Sequence, residues 1–191
     1  MYTLPVIKDK LFYEMTPLIP TCEYDPASGS FMPYALVRAA EITGIGLVLD
    51  LTAFVTTPEA EGGETFLDTD DLLAVSLCAG ADSPVLTFAC NAKDRCLMLK
   101  DGNPVSNHDC ERRSGEDERG EYWSVTITLS PEELKEHFGL CSLSGLDHVL
   151  LNAFKAKIAH PHRHFGAVAP FRNPYEISSR ENLAEFSVLP M

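Results

Sequence analysis

Apolar and polar residues alternate through much of the chain. Trp123, Val125, Ile127 and Leu129 are interleaved with Ser124, Thr126 and Thr128. That period of two belongs to a strand with one face in an apolar core and the other in water. Gly46 to Thr52 repeats the pattern, with Leu47, Leu49 and Leu51 on one side and Asp50 and Thr52 on the other. Leu72 to Leu77, Pro84 to Cys90 and Arg95 to Leu99 are short apolar runs. Gly-Ala-Asp-Ser and Asn-Ala-Lys-Asp separate them, and this turn chemistry predicts a meander. Val149 to Ile158, Leu183 to Leu189 and Tyr34 to Ile42 are read as further strands.

One helix is marked. Ser130 is its N-cap, Pro131 its first residue, and Glu133 completes an S-x-x-E capping box. Leu134 and Phe138 share a face, and Gly139 stops the helix. Between the strands lie three segments read as loops: Thr57 to Asp71, Asp101 to Glu121 and Ala159 to Arg180. No strand–helix series repeats, which disfavours a parallel, doubly wound sheet. The expected architecture is all-β, an antiparallel two-sheet β-sandwich of jelly-roll type with one short connecting helix. No linker divides residues 1–191, so one domain is expected.

Composition narrows the partners. The chain has 191 residues, of which 45% are hydrophobic, enough to bury roughly 70% of the unfolded surface in one core. The formal net charge is -13, which argues against nucleic acid, since binding phosphates needs a basic face. No apolar run approaches the ~18 residues that span a bilayer, so no membrane partner is expected. No secretory signal is read at the start. Cys22, Cys78, Cys90, Cys96, Cys110 and Cys141 form no CxxC, and several sit inside apolar runs. They are expected to be reduced, buried thiols in a cytoplasmic protein.

No nucleophile elbow, phosphate loop or zinc-protease helix is present, so no catalytic residue, cofactor or metal is assigned. His160, His162 and His164 alternate, but strand spacing sets alternate residues ~6.8 Å apart, too far for all three to hold one ion without a bend. They are read instead as polar loop or sugar contacts. Asp68, Asp70 and Asp71 lack the offsets of a calcium loop. Trp123 alternates with core residues and is read as core. Sugar recognition wants exposed aromatic faces with polar anchors, and Phe171 and Tyr175 lie in a predicted loop. Arg112 and Arg113 add guanidinium donors.

The order of pieces also resembles a known family. Gly44-Ile45-Gly46-Leu47-Val48-Leu49 precedes a Pro/Glu loop, then Asp70-Asp71-Leu72-Leu73-Ala74-Val75-Ser76-Leu77, Leu86-Thr87-Phe88-Ala89-Cys90-Asn91 and Tyr122-Trp123-Ser124-Val125-Thr126-Ile127. The capped helix, Leu151-Asn152-Ala153-Phe154-Lys155 and His162-Arg163-His164-Phe165-Gly166 follow. Over residues 34–171 this resembles the family 9-like carbohydrate-binding modules, within the DOMON-like β-sandwiches. The resemblance implies a non-catalytic module for a small glycan or a glycan end. Asn91 matches the asparagine that closes the family's N-F-E-x-N strand. Ala74 stands where the family has an acid, and Phe171-Arg172-Asn173-Pro174 replaces its F-H-x-P. The residues taken together as ligand-binding are Asn91, Arg112, Arg113, His162, His164, Phe171 and Tyr175. The alternative is a sandwich that has lost its sugar site and serves as an interaction or structural domain.

Overall fold

The structure, a computed structural model, describes residues 2–28, 33–54, 58, 60, 62–159 and 162–191. Its strands are β1 (Tyr2–Ile7), β2 (Ile19–Pro20), β3 (Glu23–Tyr24), β4 (Ala35–Ile42), β5 (Gly46–Phe54), β6 (Leu72–Cys78) and β7 (Leu86–Asn91). They continue with β8 (Cys96–Lys100), β9 (Asn103–Asn107), β10 (Cys110–Asp117), β11 (Gly120–Leu129), β12 (His148–Lys157), β13 (His164–Ala167) and β14 (Ala184–Pro190). The α-helices are α1 (Phe66–Thr69) and α2 (Pro131–Phe138). No helix is long and apolar enough to cross a membrane among the described residues.

The two-sheet antiparallel expectation is corrected. The strands form one mixed, curled sheet in the order β10-β11-β5-β4-β1-β14-β12-β6-β7-β8-β9, with β2, β3 and β13 paired off that path. The join is β1, which runs parallel to β14 from Tyr2↔Phe186 to Val6↔Pro190 and parallel to β4 at Val6↔Glu41 and Ile7↔Ile42. A strand between parallel neighbours is buried on both faces and reads as a short continuous apolar run rather than an alternation. Leu4 to Ile7 are all buried. Pro5, which lacks an N–H, further masks the segment as a strand.

The curl brings the two halves of the sheet together over one main core. Leu47, Leu49, Leu51, Trp123, Val125 and Ile127 come from one half, and Leu73, Val75, Leu77, Phe88, Cys90 and Met98 from the other. Gly46 lets β5 begin against the end of β11, because a Cβ there would lie 2.0 Å from the Leu129 carbonyl oxygen. The helix forms as its sequence dictates. Ser130 Oγ accepts from Glu133 N at 3.2 Å, Glu133 Oε2 accepts from Ser130 N at 2.8 Å, and Gly139 turns left-handed at φ 74°.

Two further expectations change. Much of Asp101 to Glu121 is not loop: it forms β9 and then β10, which pairs with β11 from Cys110↔Ile127 to Asp117↔Gly120. The cysteines are not all reduced, since Cys90 and Cys96 lie opposite each other on β7 and β8 and are joined as a disulfide. Cys22, Cys78, Cys110 and Cys141 are free, and Cys22 and Cys141 are exposed.

Candidate functional site

Where the curl nearly closes, the β10–β11 hairpin faces the turn between β7 and β8. On β10 the inward positions are Cys110, Arg112 and Ser114, opposite Ile127, Val125 and Trp123 of β11. Arg112 Nε reaches across and donates to the Asn91 carbonyl oxygen at 3.4 Å. The structure therefore brings Asn91 and Arg112 together, as two of the expected site residues.

Asn91 is fully buried, and its side chain builds the turn. Its Oδ1 accepts from the backbone N–H groups of Lys93, Asp94 and Arg95 at 3.2, 3.0 and 2.8 Å. Its Nδ2 donates to Asp70 Oδ2 at 2.8 Å. Asp70, also buried, accepts from Gly62 N at 3.0 Å and from Thr69 Oγ1 at 2.9 Å. The asparagine thus fixes the rim on which Ala92 and Arg95 sit.

Beside this rim opens a cleft of about 560 Å³ lined by Pro58, Ala92, Ser114, Gly115, Glu116, Glu121, Tyr122 and Trp123. Small-ligand pockets fall in the same size range. Trp123 is 3% exposed, so its ring body belongs to the core. Its indole Nε1, the Arg112 Nη2 and the Arg95 Nε are nevertheless buried donors with no hydrogen-bond partner. Trp123 and Arg112 occupy adjacent inward positions of the β10–β11 ladder. Buried donors are almost always paired in folded proteins, so the unpaired indole N–H on the cleft wall marks a place for an acceptor oxygen. Glu116 and Glu121 are the acceptors of the same cleft, directly opposite on the two strands. Gly115 makes room for Tyr122: a Cβ at 115 would lie 3.0 Å from the phenol oxygen.

Tyr122 also walls a second, outer groove of about 280 Å³, with Phe54, Arg38, Asp50, Arg113 and Arg119 among its lining. Tyr34, Phe54 and Tyr122 form a row with ring centroids 5.6 and 6.2 Å apart, and the Arg119 guanidinium lies 5.9 Å from the Phe54 centroid. Arg113 points outward here, exposed and paired with Glu111 at 3.3 Å.

The remaining expected residues lie elsewhere. Phe171 and Tyr175 pack with Phe154 and Phe165 in a second apolar cluster, with centroids 4.9 and 5.4 Å from Phe165. Arg163 stacks on Tyr175 at 3.7 Å. Buried asparagines hold the covering segment down. Asn152 Nδ2 donates to the carbonyls of Ala169 and Asn182, and Asn182 Oδ1 accepts from Arg172 N and Asn173 N. Ala74 belongs to this same cluster, so an acid at that position would be buried in apolar surroundings.

The histidines do not form a row. His160 lies outside the described residues, His162 is exposed, and His164 is 3% exposed on β13. His164 Nδ1 donates to the His162 carbonyl oxygen at 2.8 Å. Its Nε2 is 3.2 Å from both Lys155 Nζ and Asp71 Oδ1. Lys155, with no exposed surface, is ion-paired with Asp71. Burial pushes Lys155 below the ordinary lysine range, against the pull of Asp71. Burial would raise the Asp71 carboxyl, but hydrogen bonds from His164 and Lys155 and the lysine charge outweigh it and hold it below the usual range. Asp68 is exposed on α1, whereas Asp70 and Asp71 are buried.

Sequence reading missed Tyr122, Glu116 and Glu121 as site residues. Gly120 directly after Asp117-Glu118-Arg119 was the available sign that this charged stretch is a hairpin turn.

No family model matches the chain, and no curated protein matches it. Solved structures do. A protein from Bacteroides uniformis, described as a candidate carbohydrate-binding protein, superposes with a TM-score of 0.68 at 15% identity over 97% of both chains. A family 9 carbohydrate-binding module from Caldicellulosiruptor kristjanssonii in complex with cellotriose gives 0.62 at 9% identity over 99% of this chain and 94% of that one. The glucose complex of a family 9 module from that organism gives 0.62 at 9% identity, over 99% and 96%. The chain has the fold of family 9 carbohydrate-binding modules. At these identities the likeness is one of fold.

Proposed function

We propose that this chain is a non-catalytic carbohydrate-binding module whose cleft holds the end of a small, uncharged glycan. The observation that carries the reading is the unpartnered buried indole Trp123 Nε1 on the cleft wall with Glu116 and Glu121, together with the unpartnered Arg112 Nη2 at the next inward position of the ladder. Sugar hydroxyls accept from N–H donors and donate to carboxylates. Glu116 and Glu121 supply the latter, and Tyr122 offers a π-face to pyranose C–H bonds. The fold supports the reading, because family 9 modules of the same fold are known with glucose and cellotriose bound. A net charge of -13 repels anionic polysaccharides and favours neutral sugars.

The test is calorimetry of the full chain with glucose, cellobiose and cellotriose, preceded by a glycan array. Binding in the millimolar to micromolar range is expected, about −4 to −8 kcal/mol, with no turnover. Release of reducing sugar that Glu116→Gln or Glu121→Gln abolishes would mark the two opposed acids as a hydrolase pair instead.

One observation favours the interaction-domain reading. Leu11, Phe12, Met15 and Leu18 are 81, 54, 77 and 43% exposed in one short segment, and clustered exposed apolar residues mark contact surfaces. A blank glycan array together with blank calorimetry would leave that reading in front.

A further inference from the structure

Three of the six cysteines converge across the closure of the sheet. Cys90 and Cys96 face each other on β7 and β8, and Cys110 arrives on β10 from the opposite half. All three sulfurs lie within 4.8 Å of one another. Cys90 and Cys96 are buried and bonded to each other here, whereas Cys110 is free and half-buried.

We propose that the reduced chain binds one soft cation, zinc or its surrogate cadmium, through the thiolates of Cys90, Cys96 and Cys110. A tetrahedral ion with metal–sulfur bonds of ~2.3 Å needs its sulfurs ~3.8 Å apart, so once their bond is reduced the Cys90 and Cys96 sulfurs must part by somewhat more than ~1 Å, while Cys110 needs to move in by ~1 Å at most. The ladders fix the ligands: two come from one hairpin and the third from a strand in register with β11 over eight residue pairs. Cys110, the half-buried member, is the ligand nearest solvent and supplies an entry path. Three thiolates and a divalent ion carry one net negative charge. Arg112, the next inward residue of β10, lies beside it with an unpartnered Nη2. Burial raises the Cys110 thiol above its ordinary range, and the Arg112 charge works against that.

Loading proceeds in two balanced steps. A dithiol reductant passes two electrons and two protons to the Cys90–Cys96 bond and leaves as its own disulfide. The metal then displaces three thiol protons to solvent. Neither step depends on the sugar reading.

The experiment is an anaerobic cadmium titration of the full chain, reduced with a dithiol and freed of it by gel filtration. Thiolate-to-cadmium charge-transfer absorption gives the affinity, and native mass spectrometry gives the stoichiometry. One cadmium per reduced chain is expected, and none on the unreduced chain. Cys110→Ser should weaken binding at least about tenfold, the lower bound for losing even an outer-shell partner. Cys78→Ser, at a buried free thiol outside the cluster, should change nothing. Circular dichroism checks folding, and Cys96→Ser carries the same expectation should Cys110→Ser fail to fold. A reduced wild type that takes up no cadmium, or a Cys110→Ser chain that binds as tightly as wild type, overturns the proposal.

Discussion

Of the regions of this protein that bury polar groups, two treat them in opposite ways. At Lys155, Asp71 and His164 the polar groups meet partners: ammonium to carboxylate, the imidazole Nε2 within 3.2 Å of each, and the second imidazole nitrogen to a backbone carbonyl. At the cleft and on the strand beside it, Trp123 Nε1 and Arg112 Nη2 are buried with no hydrogen-bond partner among the described residues. A satisfied network serves the fold, because removing any member strands the others in a medium of low dielectric. An unsatisfied set costs stability and is explained by something that arrives later. Side chains of similar chemistry therefore have different work, and partner accounting separates them where residue type does not.

The sharpest break of this contrast is Lys155→Met. It leaves Asp71 buried without its cation and should destabilise the chain by about 3–5 kcal/mol in urea denaturation. Lys155→Met with Asp71→Leu should recover most of that loss, because a paired buried charge is often replaceable by apolar bulk. A lone Lys155→Met that costs nothing would dissolve the distinction. The pH profile adds a sign. The folded Asp71 carboxyl titrates below its unfolded value, so its stabilisation is complete above about pH 4. It is lost as pH falls through the folded value, where the native state must take up the proton. Lys155→Met should move that acid loss to higher pH.

Asn91 sharpens the comparison from within the cleft region, since it sits at the rim but is itself satisfied. Asn91→Ala strands three backbone N–H groups and takes one donor from the buried Asp70 carboxylate, and should cost about 1–3 kcal/mol of folding stability. Any loss of sugar affinity should follow from a disordered turn, visible as faster amide exchange at residues 92–95.

The unpaired donors should behave the other way. Trp123→Phe keeps the aromatic body in the core and removes only the N–H, and Arg112→Ala removes the second donor. Each should weaken glycan binding by about 1–3 kcal/mol, roughly 5- to 150-fold, through the ligand hydroxyl left unpaired. Trp123→Phe should cost under ~1 kcal/mol of stability, because no protein partner is stranded, and Arg112→Ala about 1 kcal/mol, because it also removes the Nε hydrogen bond to the Asn91 carbonyl oxygen. Calorimetry and a melt on the same samples read both numbers. A variant that loses stability but keeps affinity would move its side chain into the structural class.

How far these regions were legible in the sequence follows the same physics. Half-buried strands announce themselves by alternation, so β5, β11 and the β6–β7–β8 meander were read within a few residues of their bounds. β1 was hidden because parallel neighbours bury both its faces and Pro5 argues against a strand. β10, C-E-R-R-S-G-E-D, is polar on both faces: one meets water, and the other lines the cleft. Asn91 and Arg112 were found as residues, but that one is spent on a turn and the other keeps an unpartnered Nη2 beside its bond to Asn91 is a matter of partners distant in sequence. Phe171 and Tyr175 do lie in a loop, but their packing against Phe165 was not legible, because the asparagines that hold this segment down, Asn152 and Asn182, act across 10 to 30 positions.

The smallest expected effect is at Arg113, the neighbour of Arg112. The two arginines are indistinguishable by type and nearly so by context, yet β-strand pleat turns one inward and the other out. Arg113 is 72% exposed at its side chain, and its one ion pair is with Glu111, itself 73% exposed. Exposed pairs contribute little, since water screens them and two long side chains must be ordered to form them. Arg113→Ala should leave stability within ~0.5 kcal/mol of wild type. If the cleft alone binds the sugar end, affinity should also stay within about twofold. Arg113 does line the outer groove, however, beyond the Tyr122 wall. A longer glycan crossing that wall would meet it. The measurement is therefore a pair of titrations, glucose and cellotriose, on Arg113→Ala. Unchanged affinity for both confines recognition to the cleft. A loss for cellotriose alone would extend the site over Tyr122 into the groove and move Arg113 into the class of donors awaiting a ligand.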